Sequence, residues 1–316
     1  MRMLFIAPRY TGGTGGHAAA VAAKLTECGH DVKLMDVSHI PIKNLKNPSF
    51  AVLSTLKAFF GSEEYDLVHA WNVPSAFAMR VAKAKKKVLS VHGVYAEAVD
   101  MMHSKVASTA VGMAELSVLK WADKLITDSK MVQKAYKEKL GLEFEYLPAP
   151  LDTRKFDDIP DVQKFEDQVV YVGRDDAGKG TDVLRSAEPQ IKGRVVYCTN
   201  LPWKEAMTIL KASSVLALPS RLESLPTVIK EAYYLKVPVV ATNVGGVPEI
   251  VTHDVTGILV PPNDPKELAG AINLLLENKE YARRLADAAY EYLIKNWTWD
   301  ALLPRYIEFY DNLFRS

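Results

Sequence analysis

The chain has 316 residues, too long for one ordinary core and suited to two domains of roughly 150 residues each. An apolar fraction of 48% and a charged fraction of 24% describe a soluble globular protein, and a net charge of +1 argues against a dedicated nucleic-acid binder. No apolar run reaches the roughly 18 residues that a spanning helix needs, and Cys28 and Cys198 are too isolated for a disulfide framework or a zinc site. With no cleavable leader pattern before Met3-Leu4-Phe5-Ile6-Ala7, the expectation is an intracellular, cytoplasmic protein.

Met3–Ala7 predicts a first strand, followed by the glycine-rich Gly12-Gly13-Thr14-Gly15-Gly16. A helix from about His17 to Cys28, closed by Gly29, and a strand at Asp31–Asp36 complete half of a mononucleotide-binding unit. Gly13-Thr14-Gly15-Gly16-His17-Ala18 also fits a loose dinucleotide fingerprint, but only Asp36 offers the acidic residue a nicotinamide site wants. A helix follows near Phe50–Phe60. Its Phe59 and Phe60, with Lys43, Lys46 and Lys57, could meet a membrane surface, although packing on the sheet is the simpler reading. Strands at Leu67–Ala70, Val88–Val91 and Lys124–Thr127 alternate with helical patterns, which implies a parallel, doubly wound sheet. Lys83 to Lys87 reads as a solvated turn. Ligands of such sheets lie at the C-terminal strand ends, where His69, His92-Gly93 and Asp128-Ser129 fall. His92 is placed to trade a proton near neutral pH or to serve the structure; both readings stand at this point.

The proline-rich Leu147-Pro148-Ala149-Pro150-Leu151-Asp152 reads as a crossing between a domain of residues 1–150 and one of residues 151–298. Val169–Val172 leads into Gly173-Arg174-Asp175-Asp176-Ala177-Gly178-Lys179-Gly180 and a helix near Thr181. Arg174, with its planar fork, and Lys179, as a point charge, suit a diphosphate; the spacing is not that of a Walker loop. Strands recur at Arg194–Cys198, Val215–Leu218, Val237–Ala241 and Gly257–Val260, and Gly245-Gly246-Val247-Pro248-Glu249-Ile250 opens a short helix. Asp264 should cap a helix to about Glu277, with further helices at Glu280–Lys295 and Trp299–Phe314. At Pro219–Glu231 a strand, a tight loop and a helix starting at Thr227 bring the N–H groups of Leu225, Thr227 and Val228 to one point, which attracts an anion. Val228, Ala232 and Leu235 should share one helix face. Glu223 and Glu231 either face a common cleft or are solvated helix-end charges.

Taken together, Gly173-Arg174, Lys179-Gly180-Thr181-Asp182, Pro219-Ser220, Glu223 to Glu231-Ala232, Val237 to Thr242 and Gly245 to Val251 resemble the retaining GT-B glycosyltransferases of family 4. Gly15-Gly16, Gly29 to Val32, Asp66 to His69, Ala122 to Ser129 and Pro150 to Phe156 fit the same pattern. The resemblance implies an α/β fold of two facing Rossmann-like domains with parallel sheets and a deep inter-domain cleft, the last helix (299–316) crossing back to the first domain. It implies transfer of a sugar from a UDP- or GDP-type sugar nucleotide to an acceptor hydroxyl, with retention at the anomeric carbon. Arg174, Lys179 and the amides of Thr227 and Val228 would hold the diphosphate, Glu231 the ribose, and Glu223 with Ser224 and Leu225 the transferred sugar. His92 would contact that sugar, Gly15 and Gly16 would close over the donor, and Asn200 and Leu201 would border the base.

No Asp-x-Asp pair stands in a suitable loop, so no metal and no cofactor beyond the donor substrate is expected. Front-face attack assisted by the leaving phosphate is preferred to Glu223 as a covalent nucleophile. One strand–helix unit of the family is missing between Thr181-Asp182 and Val195, Asp175 and Asp176 sit unusually near the phosphate loop, and Ser224-Leu225-Pro226 replaces the commoner glycine and phenylalanine. A sugar-nucleotide epimerase of the same fold and a non-catalytic sugar-nucleotide-binding protein are the alternatives. The acceptor, a glycan, a lipid-linked species or a small molecule, is left open, with Lys43 to Phe60 and Met101-Met102-His103 as candidate linings. Contact with the cytoplasmic face of a membrane stays an option.

Overall fold

The computed structural model describes residues 1–8, 13–35, 37, 45–93 and 116–315; Asp36, Lys43 and Met101-Met102-His103 lie outside them. The chain divides into two compact units, Met1–Ala149 with Pro304–Ser316, and Pro150–Leu303.

Unit 1 is built on a six-stranded parallel sheet in the order β2-β1-β3-β4-β5-β6. The strands are β1 Arg2–Ile6, β2 Asp31–Leu34, β3 Glu64–Ala70, β4 Lys83–Ser90, β5 Lys124–Thr127 and β6 Glu145–Tyr146. The C-terminal residues of β1, β3 and β4 are buried because helices cover both faces of a parallel sheet, so Leu4–Ile6, Leu67-Val68 and Val88-Leu89 read as short apolar runs. Helices α1 Gly13–Glu27, α2 Lys46–Phe59, α3 Ala76–Val81 and α4 Lys130–Leu140 connect them. Two expectations are corrected here. Helix α1 begins four residues before His17, so Gly15 and Gly16 lie in its first turn instead of in a loop. Lys83–Lys87 is the first half of β4 and not a turn. Lysines are tolerated in this strand because Lys83 and Lys85 are exposed, Asp66 accepts from Lys85 Nζ at 2.7 Å, and Lys87 Nζ donates to Arg80 O, also at 2.7 Å. Helix α2 turns Phe50, Ser54 and Ala58 inward and leaves Phe59 and Phe60 exposed at 66% and 79%.

Unit 2 carries a five-stranded parallel sheet in the order β11-β10-β9-β7-β8, from β7 Gln168–Val172, β8 Arg194–Cys198, β9 Val215–Leu218, β10 Val239–Thr242 and β11 Ile258–Val260. Helix α5 Thr181–Ala187 passes to β8 through a single 3-10 turn at Glu188–Gln190. Helices α6 Trp203–Lys211, α7 Thr227–Tyr234, α8 Pro265–Glu277 and α9 Lys279–Asn296 complete the unit. Asp264 Oδ1 accepts from the amides of Lys266 and Glu267 at 3.1 and 3.0 Å, which starts α8 where the sequence places it. The buried face of α7 is Ile229, Ala232 and Tyr233; Val228 and Leu235 are only partly buried, which moves the predicted face by one position.

The last helix, α10 Trp299–Asn312, contains Pro304, where it passes from unit 2 to unit 1. Within unit 1, Tyr306, Phe309, Tyr310 and Leu313 are buried. The Tyr306 hydroxyl donates to Pro148 O at 3.1 Å, and the Tyr310 hydroxyl lies 2.9 Å from His69 Nδ1. His69 Nε2 meets Ser90 Oγ at 2.7 Å. With both ring nitrogens engaged and the ring buried, which holds its pKa well below the ordinary value, His69 is a neutral internal strut.

Candidate functional site

In unit 2 the chain leaves β7 at Val172 and turns at Gly173. A Cβ at 173 would stand 2.7 Å from the Tyr171 hydroxyl, so only glycine lets the turn lie on that ring. The same hydroxyl donates to Arg174 O at 2.5 Å. Asp176 Oδ1 accepts from the Lys179 amide at 3.2 Å and caps the turn Ala177–Lys179, while its Oδ2 lies 3.3 Å from Arg174 Nη1. Asp175 accepts from the Thr181 hydroxyl and from Arg185 Nη2, the latter at 2.7 Å. These partners hold the Asp175 carboxyl below its usual range. Both acids of the loop are thus spent on local structure.

Three glycines, one from this loop and two from the turn after β10, press on the segment after β9. Gly180 is left-handed (φ +63°), and a Cβ there would meet Pro219 O at 2.0 Å. Gly245 (φ +53°) and Gly246 press on the next turn: their Cβ atoms would come within 1.8 Å of Glu223 O and 1.7 Å of Ser224 O. Arg221 staples the two loops from the side. It makes a bidentate pair with Asp182 at 2.8 and 2.6 Å and donates to Ala177 O at 2.8 Å. Inside this frame Lys179 Nζ and Ser220 Oγ both donate to Glu223 Oε1 at 2.7 Å, and Glu223 is only 7% exposed. Ser224 Oγ is buried with no hydrogen-bond partner among the described residues. Leu225 is buried beside it. Pro226, extended, gives α7 no side-chain cap, so Thr227 and Val228 open the helix with N–H groups that have no intrahelical acceptor.

Glu231 stands one turn further on. Its Oε1 accepts the Trp203 indole N–H at 2.7 Å, and burial pushes its carboxyl up from the ordinary value against the pull of Trp203, Lys230 and Lys155. Asn200, left-handed at φ +60°, and Leu201, 37% exposed, form the bend between β8 and α6. The structure therefore gathers Lys179, Glu223, Ser224 and Leu225 with the start of α7, and anchors Glu231 through Trp203. Arg174 stands apart, 75% exposed and turned to Asp176.

In unit 1, Gly15 is buried in the first turn of α1 and Gly16 is partly covered. His17 Nε2 meets the Tyr306 hydroxyl at 2.9 Å, and its ring stands edge-on to Trp71 at 5.0 Å. His92 Nδ1 lies 3.0 Å from Asp128 Oδ2. His17, His92 and Asp128 offer ligand-type atoms all within 4.8 Å of one another. Trp203, Arg221 and Tyr306 escaped sequence reasoning as site residues, and Asp128 was placed at a ligand-binding strand end without its pairing to His92. For Asp128 the signal was present: it lies at a strand end beside the strand that carries His92.

Two α/β units on parallel sheets of six and five strands define the GT-B class of fold. Solved structures of that class superpose on the chain. They include sucrose-phosphate synthase from Thermosynechococcus elongatus, with a TM-score of 0.81, 20% identity and 99% of both chains covered. Anabaena HepE in complex with UDP-glucose gives a TM-score of 0.75 at 18% identity, covering 99% of this chain and 100% of that one.

Residues 11–155 match the model of Glycosyltransferase Family 4, and residues 156–292 that of Glycosyl transferases group 1. The chain belongs to the family 4 glycosyltransferases. An uncharacterised glycosyltransferase of Methanocaldococcus jannaschii is 22% identical, with 96% of this chain and 95% of that protein covered. A GDP-mannose-dependent alpha-(1-6)-phosphatidylinositol monomannoside mannosyltransferase of Mycobacterium tuberculosis is 28% identical over 52% of this chain and 55% of its own length. A D-inositol 3-phosphate glycosyltransferase of Corynebacterium diphtheriae is 37% identical over 35% of this chain and 26% of its own.

Proposed function

We propose that the chain transfers a hexose from a nucleoside diphosphate sugar to an acceptor hydroxyl with retention of anomeric configuration. The observation that carries this reading is the pairing of Lys179 and Ser220 on buried Glu223, beside the uncapped start of α7. A cation and helix-terminal N–H groups are the partners that stabilise a departing diphosphate. Lys179 and the amides of Thr227 and Val228 hold that group, and Arg174 joins them by exchanging Asp176 for phosphate. Glu223, with Ser224 and Leu225, holds hydroxyls of the transferred sugar. Glu231, held by Trp203, takes the ribose, and Asn200 and Leu201 border the base. In unit 1, His92 serves the sugar and acceptor side, and Gly15 and Gly16 leave room for the donor.

The reading includes no metal in the transfer step, so activity should survive EDTA. It places the reaction in the cytoplasm, in keeping with two free thiols, one of them exposed. Among the described residues no helix is long and apolar enough to cross a membrane; the exposed Phe59 and Phe60 make α2 the element to test for contact with anionic vesicles. Names of relatives and structural neighbours direct the donor screen to UDP-glucose and GDP-mannose. A thermal-shift screen of UDP-, GDP- and ADP-sugars, followed by release of nucleoside diphosphate on adding glycan and lipid-linked acceptors, tests the reading. Stabilisation by none of these donors would refute it, and an altered sugar nucleotide formed without acceptor would replace transfer by epimerisation.

A further inference from the structure

Strands β4 and β5 are parallel neighbours with Ser90 opposite Ile126. Two residues past that register, beyond the C-terminal ends of both strands, come His92 and Asp128. The sheet itself therefore sets the pair side by side, and His92 Nδ1 lies 3.0 Å from Asp128 Oδ2. Around it the packing is aromatic. The Trp71 ring lies 6.1 Å from that of His92 and within 8° of parallel, and the His17 ring stands across it at 5.7 Å and 69°. His17 is itself held by Tyr306. The far nitrogen, His92 Nε2, is buried and has no hydrogen-bond partner among the described residues.

A neutral imidazole carries one ring proton, and the partner of one nitrogen decides which nitrogen keeps it. A carboxylate can only accept. We propose that Asp128 is a positioning residue that holds the His92 proton on Nδ1, leaving Nε2 as a hydrogen-bond acceptor for a substrate hydroxyl. The inference rests on the transfer reading only for what Nε2 meets; the tautomer is a property of the free protein. A free imidazole favours the opposite form, with the proton on Nε2, so the carboxylate does what the ring would not do alone. In the preferred form His92 accepts a hydroxyl proton in a hydrogen bond and rejects a substrate atom that cannot donate one.

The test labels histidines with 15N and reads long-range couplings of the His92 ring, with and without EDTA, at a pH above which its 15N shifts no longer move, with His92→Gln assigning the signals. The wild type should show a protonated Nδ1 and a bare Nε2. A protonated Nε2, or ring signals that change when EDTA is added, would overturn the proposal, the second by assigning the His17, His92 and Asp128 cluster to a metal. Asp128→Leu fills the volume without an acceptor; it should move the proton to Nε2 and lower kcat about tenfold or more, with donor KM within about threefold. Retention of the Nδ1 proton or of the wild-type kcat in that variant would also overturn it. If Asp128→Leu does not fold, the wild-type tautomer still decides. Absence of any transfer by the wild type would sink the proposed function and leave the tautomer result standing.

Discussion

Gly246→Ala tests whether the turn at Glu223–Ser224 is held by backbone contact. The added Cβ would start 1.7 Å from Ser224 O, and such contacts essentially never fall below 3.0 Å, so the turn must retreat by about 1.3 Å. Ser224 follows Glu223, so the retreat drags the carboxylate that binds Lys179 and Ser220. A displacement near 1 Å in a positioned site costs about 10²-fold in rate, and overpacking of this kind costs about 1–3 kcal/mol. For a unit of this size that is a fall of roughly 2–12 °C in melting temperature. The control is Gly270→Ala in the middle of α8, where a Cβ meets nothing within 4 Å. That change should raise stability by about 0.5–1 kcal/mol and leave transfer alone. The measurements are a thermal melt of each variant and kcat/KM with the best donor from the screen. If Gly246→Ala keeps kcat/KM within about twofold of wild type, the turn is not fixed by this contact and the argument fails.

Three other perturbations follow from the same geometry. Lys179→Met strips a 6%-exposed Glu223 side chain of its cation; allowing for the partial exposure of Lys179, it should cost about 2–3 kcal/mol and about 10²–10³-fold in kcat/KM, and near-normal turnover would contradict the diphosphate role. Burial raises the Glu231 carboxyl above its ordinary value, so the folded state holds that proton more tightly than the unfolded chain, and this contribution to stability fades as pH climbs from about 4.5 through the raised value. Glu231→Gln keeps an acceptor for Trp203 without the charge, and should therefore gain on wild type in melting temperature as pH climbs above about 4.5; a gap that does not change with pH would contradict the burial argument. A chain stopped after Leu303 loses Tyr306 and Tyr310 from unit 1. Each large buried aromatic is worth about 3–5 kcal/mol, so unit 1 should not fold cooperatively, and a full melting temperature with full activity would refute that.

Much of the β/α alternation was legible because parallel strands buried on both faces are short apolar runs, as at Val215–Leu218. Lys83–Lys87 was not, because a run of lysines reads locally as solvated, and the partners of Lys85 and Lys87, Asp66 and the Arg80 carbonyl, are brought near only by the fold. The start of α1 was misread since glycines signal a loop locally, whereas tertiary packing carries the helix through them. At the candidate site the residue types Arg174, Lys179, Glu223 and Glu231 stood out by chemistry. Trp203 and Arg221 did not, for each acts through a partner brought near only by the fold, 28 residues away for Trp203 and 39 for Arg221; Asp128 was legible at its strand end, but its pairing with His92 across β4 and β5 was not.

The struts that α10 supplies to unit 1 bear on how the chain comes off the ribosome. Phe5 in β1 and His69 in β3 are made early, yet their stacking and hydrogen-bonding partner Tyr310 emerges only after all of residues 150–303. Unit 2 has every strand of its sheet in hand before that. The unit that begins first is therefore the one that finishes last, and until residues 304–313 arrive it must carry an open seam along β1 and β3. A nascent chain arrested once residue 303 has cleared the ribosome, with residues 304–313 still inside it, should have unit 2 protease-resistant and unit 1 still sensitive.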